Sequence, residues 1–258
     1  MADNRFLKTE GIHNFRDFGG YAIAGGARVK PGLLFRSGQH MEATDDDLAL
    51  VDSLDIRTIV DLRGNAERSN FPCRRSDSFC AEVIHHDGET ASAPPLDVVA
   101  GSGITPEKAR QRMLALYTRM PVNPAMISMF GRYFKALDQR DGGSLVHCFA
   151  GKDRTGIAAA MVLQVLGAHH DDIVDEFMLT NAAPTTEVLT RQYLPRMEAH
   201  YGPIDAEALR NLIGVRPEYI EKYISQVGQS HGSFDGYIQN IIGVDEAMQE
   251  RLSARFTG

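Results

Sequence analysis

The sequence has no excess of positive charge. Its 27 Lys and Arg stand against 34 Asp and Glu, a formal net charge of -7. Such a chain lacks the field that sequence-independent nucleic-acid binding or adhesion to an anionic membrane requires, so an anionic substrate must be held by a local cluster. Long apolar runs are missing too. The longest, residues 157–168, contains Gln164 and is too short to span a bilayer, so no transmembrane segment is expected. The opening Met1-Ala2-Asp3-Asn4-Arg5-Phe6 has no apolar stretch to serve as a signal peptide. Cysteine is scarce: Cys73, Cys80 and Cys148 are the only three. An odd number in a core-forming chain argues against a disulfide framework and makes a reducing, cytoplasmic compartment the default. Lysine is scarce within its own class, with 6 Lys to 21 Arg, a bias that suits bidentate anion recognition and ordinary surface chemistry equally.

What is present is enough for one core. With 258 residues, 43% of them hydrophobic, the chain is expected to form a single domain spanning residues 1–258 and not a disordered one. Residues 12–20 are turn-rich, and residues 21–29 read as a short hairpin around Gly25-Gly26. Residues 33–36, 56–62, 81–85 and 144–147 read as strands. Thr44 followed by three aspartates is a helix start, with Leu48, Val51 and Leu54 at helical spacing. Thr105-Pro106-Glu107 opens another helix, which buries Met113, Leu114 and Tyr117. A further one after Pro124 presents Ile127, Phe130, Phe134 and Leu137. Residues 87–103, rich in Gly, Ala, Ser and Pro, read as a long mobile loop. Residues 171–256 carry only helical patterns, broken by Pro184, Pro195, Pro203 and Pro217. Strands in the first half and helices in the second predict an α/β fold with a central, mostly parallel sheet and a helical C-terminal layer.

The informative segment is His147-Cys148-Phe149-Ala150-Gly151-Lys152-Asp153-Arg154-Thr155-Gly156. Spacing alone is poor evidence, because three cysteines and 21 arginines in 258 residues give a Cys with Arg six positions later about one time in four by chance. Context makes it specific: Cys148 closes a strand and Arg154 opens a helix predicted over residues 155–166. The amides of Phe149, Ala150, Gly151, Lys152, Asp153 and Arg154 can curl around a tetrahedral dianion at the positive end of that helix, with the Arg154 guanidinium closing the ring. A phosphate or sulfate ion is the expected occupant. The same field should favour a thiolate at Cys148, drawing its pKa from about 8.5 into roughly the 3.5 to 7.5 range of activated cysteines. A nucleotide-binding P-loop does not fit, since Val146 and Asp153 occupy its required Gly and Ser/Thr positions. Cys73, Cys80, His85 and His86 have the wrong spacing for a zinc ligand set.

This loop resembles that of the cysteine-dependent protein tyrosine phosphatase superfamily, and more narrowly the bacterial tyrosine and phosphoinositide phosphatases. Supporting pieces are residues 14–20, Phe35-Arg36-Ser37, Asp61-Leu62-Arg63 with Glu67, residues 214–219 and Gly232-Ser233-Phe234. The resemblance implies a phosphatase-like fold and a phosphorylated protein or peptide as substrate, with a phosphoinositide as the alternative. It implies attack by Cys148 to give a phosphocysteine, oxygens held by Arg154 and the loop amides, a Thr155 hydroxyl that assists the departing thiolate, and no cofactor or metal. His147 should orient the loop. Residues 108–118 hold no acid, unlike the corresponding stretch of the eukaryotic relatives. That leaves Asp153, Asp61 and Asp87 as candidates for the general acid, the resemblance favouring Asp153. Lys152 matches a position where lipid phosphatases carry Lys to meet a second phosphate, whereas Phe149 replaces a second Lys of the strict lipid enzymes. An inactive phosphate-binding module would have little need for Cys148 and Thr155 together. Arg191, Arg196, Arg210 and Arg216 form either a local anion-binding patch or a solvated helical face. Residues 178–216 correspond to helices that cover the pocket in the relatives. Export without a cleavable signal, known among those relatives, remains compatible with the sequence.

Overall fold

A computed structural model describes residues 5–90 and 103–258. The predicted loop over residues 87–103 falls mostly outside the described residues. Five strands form one sheet: β1 Arg16–Asp17, β2 Leu34–Ser37, β3 Ile56–Asp61, β4 Glu82–His85 and β5 Gly143–His147. Their order is β1-β2-β5-β3-β4, parallel except for β1, which runs antiparallel to β2. The central place of β5 follows from its residues: all five are buried, so it needs neighbours on both edges and cover on both faces. Ser37 and Asp61 are the register partners of His147 on the two sides, so all three strands end at one level.

One sheet face packs a small core of Ile12, Phe15, Phe35, Leu48, Val51, Ile59 and Leu145 against α1 Asp45–Ser53. Thr44 caps that helix in a capping box with Asp47, whose carboxylate also accepts from the amides of Glu10 and Gly11. The other face carries the main core, built by α3 Pro106–Arg119, α4 Pro124–Gln139, α5 Asp153–Val165, α6 His170–Met178 and α9 Pro217–His231. Between β3 and β4 lies a short α2, Asn65–Asn70. The remaining α-helices among the described residues are α7 Thr186–Tyr201, α8 Ala206–Ile213, α10 Phe234–Tyr237 and α11 Glu246–Phe256. Among the described residues no helix is long and apolar enough to cross a membrane.

The hairpin over residues 21–29 is present, pairing Tyr21 with Val29 and Ile23 with Ala27 around a 3-10 turn at Ala24–Gly26, but it adds no strand to the sheet. Two details differ from expectation. Pro195 does not break a helix but sits inside α7. The described side chains of α7 are exposed or half-buried, so water can satisfy the carbonyl that a proline leaves without a donor. Within residues 12–20, Arg16 and Asp17 form an edge strand too short for any periodicity to announce.

Candidate active site

The loop between β5 and α5 takes its shape from behind. Gly151 has φ +67, and a Cβ there would lie 2.4 Å from the Ser37 carbonyl carbon, so only glycine fits. The loop carbonyls face away from the pocket and are taken by partners. Phe149 O accepts from the Gln39 amide at 2.9 Å. Gly151 O accepts from Asn14 Nδ2 at 2.7 Å and from Arg36 Nη2 at 2.8 Å. In a trans peptide the N–H points opposite to the C=O, which turns the amides of Ala150 and Lys152 to the other side, where the positive end of α5 adds its field.

Arg36 and Arg16 are themselves fixed by a single carboxylate, Glu176 on α6. Arg16 Nε lies 2.8 Å from Oε1 and Arg36 Nη1 lies 2.5 Å from Oε2, all three side chains being buried. Burial would raise the Glu176 carboxyl, but the two guanidiniums outweigh it and hold it below its ordinary range. This buried group of charges is the back wall of the loop.

Cys148 lies at the loop floor, 3% exposed, as a free thiol. Arg154, in the first turn of α5, binds Glu67 end-on: Nη1 to Oε2 at 2.6 Å and Nη2 to Oε1 at 2.7 Å. Nη1 also donates to Leu62 O and Thr90 Oγ1, each at 3.1 Å. Burial works against the guanidinium, yet the Glu67 carboxylate more than offsets it. Among the described residues nothing accepts from Arg154 Nε. The side-on edge, Nε with the second Nη2 hydrogen, is thus left as a two-donor fork of the kind that matches two oxygens of a phosphate. The Thr155 hydroxyl is fully buried and has no hydrogen-bond partner among the described residues.

Asp153 stands at the helix start, where its Oδ1 accepts from the Tyr117 hydroxyl at 2.7 Å. It lines a cavity of about 130 Å³ together with Arg154, Arg119, Thr90 and Met120. Lys152 is buried, and its ammonium donates to Leu212 O and, at 3.1 Å, to Gly214 O at the C-terminal end of α8. Its Nζ is 3.7 Å from Asp153 Oδ1.

The family model of the tyrosine phosphatase family matches residues 7–258. The chain belongs to that family. This phosphatase is 32% identical to a Cupriavidus necator protein provisionally named a tyrosine-protein phosphatase, over 93% of this chain and 85% of that one. It is 26% identical to the triple specificity protein phosphatase PtpB of Mycobacterium tuberculosis, over 96% of this chain and 98% of that one. A weaker likeness is to the crystal structure of TpbA from P. aeruginosa, at 17% identity and a TM-score of 0.30, covering 61% of this chain and 78% of that one. Members of the family hydrolyse phosphoric monoesters, and this chain is such an enzyme.

In the phosphatase the other two candidate acids are placed differently from Asp153. Asp61 is buried and clamped by Arg63, Nε to Oδ1 at 2.9 Å and Nη2 to Oδ2 at 2.8 Å, with the Arg63 amide at 3.0 Å. Burial alone would raise its carboxyl, but His147 and Arg63 outweigh it and hold it at about 2. Asp87 accepts from Asn65 Nδ2 at 3.2 Å on the surface. His147 is buried beside Asp61, stacks on His40 at 5.5 Å and has Nδ1 3.3 Å from the Cys148 carbonyl, and burial lowers it to about 4. It stays neutral at working pH and braces the strand end. The ligand atoms of Asp61, Cys73 and His147 lie within 4.8 Å of one another. A cation already serves two of them: Arg63 Nη2 is 2.8 Å from Asp61 and 3.1 Å from Cys73 Sγ.

Sequence reasoning did not assign roles to Glu67, Thr90, Asn14, Arg16, Arg36, Glu176 or Tyr117. Glu67 had a local signal, for it closes a capping box back onto the Gly64 amide at 3.1 Å, three residues before it. Glu176 has none, since its partners Arg16 and Arg36 are more than a hundred residues away.

Proposed function

We propose that this phosphatase hydrolyses phosphotyrosine in proteins or peptides through a phosphocysteine on Cys148, with Asp153 as general acid and then base. The observation that carries this reading is the Arg154 fork: one edge is locked on Glu67, and the other is open beside a loop whose carbonyls face away. The Cys148 thiolate attacks phosphorus, forming the S–P bond as the bond to the phenol oxygen breaks, and the Asp153 carboxyl gives its proton to that oxygen. Loop amides and the Arg154 Nε/Nη2 edge hold the three equatorial oxygens. Water then attacks phosphorus and yields a proton to the Asp153 carboxylate. The S–P bond breaks to the thiolate, which the buried Thr155 hydroxyl can steady, and inorganic phosphate leaves. Inorganic phosphate or sulfate is therefore a competitive ligand of the loop, and the chemistry needs no metal.

The printed name of the Mycobacterium relative, triple specificity, supports extending the range to phosphoserine and phosphothreonine. Phosphoinositides are the second reading. They would use Lys152 against a second phosphate, and its ammonium would first have to leave the carbonyls of α8. Residues 178–216, with α7 and α8, serve in this reading as a cover that Lys152 ties to the loop. The reducing cytoplasm is the setting that keeps Cys148 a thiol.

Steady-state turnover of a phosphotyrosine peptide, of phosphoinositides and of an aryl phosphate with an activated leaving group tests these roles. Cys148→Ser should be inactive on all of them, and retained turnover would sink the mechanism. Asp153→Asn should lose about 10²- to 10³-fold on phosphotyrosine yet stay close to wild type on the activated ester. Equal loss on both would remove Asp153 as the acid.

A further inference from the structure

Asp153 is anchored by one particular neighbour. Tyr117 on α3 is completely buried, and its hydroxyl donates to Asp153 Oδ1 at 2.7 Å. The ring is packed on two sides, stacked on Tyr219 at 5.6 Å and 24° and set edge-on to Phe177 at 6.1 Å and 87°. The phenol therefore cannot swing away from the carboxylate without unpacking the core between α3, α6 and α9.

The remaining ionisable groups around Asp153 differ from Tyr117 in kind. The Lys152 ammonium is 3.7 Å from the same Oδ1 but already donates to Leu212 O and Gly214 O. Arg154 is committed along one edge to Glu67. The Cys148 thiol lies below, Tyr219 lies behind Tyr117, and Arg119 lines the same cavity from the end of α3. Among the described residues Tyr117 alone is a neutral side-chain donor at hydrogen-bond distance from this carboxylate.

A phenol donating to Oδ1 divides the labour between the two carboxyl oxygens. Oδ1 accepts in both protonation states, so the transferable proton rides on Oδ2. We propose that Tyr117 is a positioning residue for the general acid, fixing which oxygen carries the proton and holding the carboxylate once the proton has left. The proposal rests on the reading of Asp153 as the acid. A hydrogen bond donated to an ionised carboxylate favours that form, and at 2.7 Å the phenol is placed to steady the base of the second step. The phenol itself keeps its proton throughout, because burial and the adjoining Asp153 carboxylate push Tyr117 well above 10.

The test is the pH profile of kcat/KM for a phosphotyrosine peptide, whose alkaline limb records loss of the acid's proton. Tyr117→Phe keeps the ring and removes the donor. It should move that limb up by about one pH unit, the scale of one hydrogen bond to a charged group, and lower kcat about tenfold more on the peptide than on an activated aryl phosphate. Replacing Tyr117 by 3-fluorotyrosine, a stronger donor of nearly the same size, should move the limb the opposite way, down by a few tenths of a unit. Opposite shifts are not produced by a packing defect, and the fluorinated protein decides the matter should the Phe variant fail to fold. A limb that stays put in both variants while Asp153→Asn abolishes it would overturn the role of Tyr117 and leave Asp153 as the acid. A limb that survives in Asp153→Asn would remove Asp153 as the acid and the proposal with it.

Discussion

The catalytic loop has a back and a front that are built on different physics. Behind it, Asn14, Arg16, Arg36 and Glu176 are all buried, and each is tied to another charged or polar group or to a loop carbonyl. In front, α8 rests on a small cluster of Ile104, Ala109 and Ala208, and Lys152 reaches it through two carbonyls. The back cannot rearrange without leaving a charge uncompensated away from water. The front can trade two carbonyls for water at little cost. One side is thereby suited to hold the loop in a fixed shape, and the other gives way more easily.

The largest effect should come from breaking the back. Glu176→Gln leaves Arg16 and Arg36 buried at half strength or less, and unfolding in urea should show a loss of about 3 to 5 kcal/mol. Activity should fall even at temperatures where the variant is fully folded, because Arg36 no longer fixes the Gly151 carbonyl. A loss below about 1 kcal/mol would mean that the ion pairs do not hold the back wall.

A substitution at the rim separates position from stability. Arg154 and Glu67 are mostly buried, their side chains 14% and 25% exposed, so solvent screens their pairing somewhat more than it screens the fully buried back wall. Glu67→Gln should cost about 1 to 2 kcal/mol of stability, less than the back-wall variant, yet cost about 10² in kcat/KM as the guanidinium loses its end-on anchor. A stability loss equal to that of the back-wall variant would show that Glu67 belongs with the back.

The same division explains what could be read from the residues. Thr44 and Thr105 mark helix starts because a cap is a local event, made with amides two or three residues away. The strand, loop and helix around Cys148 are readable for the same reason, being contiguous. The back wall was not, because Glu176 meets Arg16 and Arg36 across 160 and 140 residues, and nothing in α6 marks its acid as buried rather than solvated. Asp61 illustrates a local signal: an aspartate two residues before an arginine at a strand end is placed to pair with it, and here Arg63 takes both its carboxylate oxygens. For Lys152 the resemblance implies a second phosphate, whereas its partners in the fold are carbonyls 60 and 62 residues on, which nothing in the loop's own spacing marks.

The smallest effect should come from the front. Lys152→Met keeps the length and much of the packing of a buried side chain and removes two donors from the end of α8. Burial already lowers the proton affinity of this ammonium, with Asp153 and Cys148 only partly restoring it, so its removal also relieves a desolvation cost. The loss in global stability should stay near 1 kcal/mol, while amide exchange across residues 206–214 quickens about tenfold. Turnover of a small aryl phosphate should change by less than about threefold, since the amide of residue 152 is kept. A fall confined to doubly phosphorylated inositides, with exchange in α8 unchanged, would instead mean that Lys152 exchanges its carbonyls for substrate, and that the front of the loop reads a second phosphate.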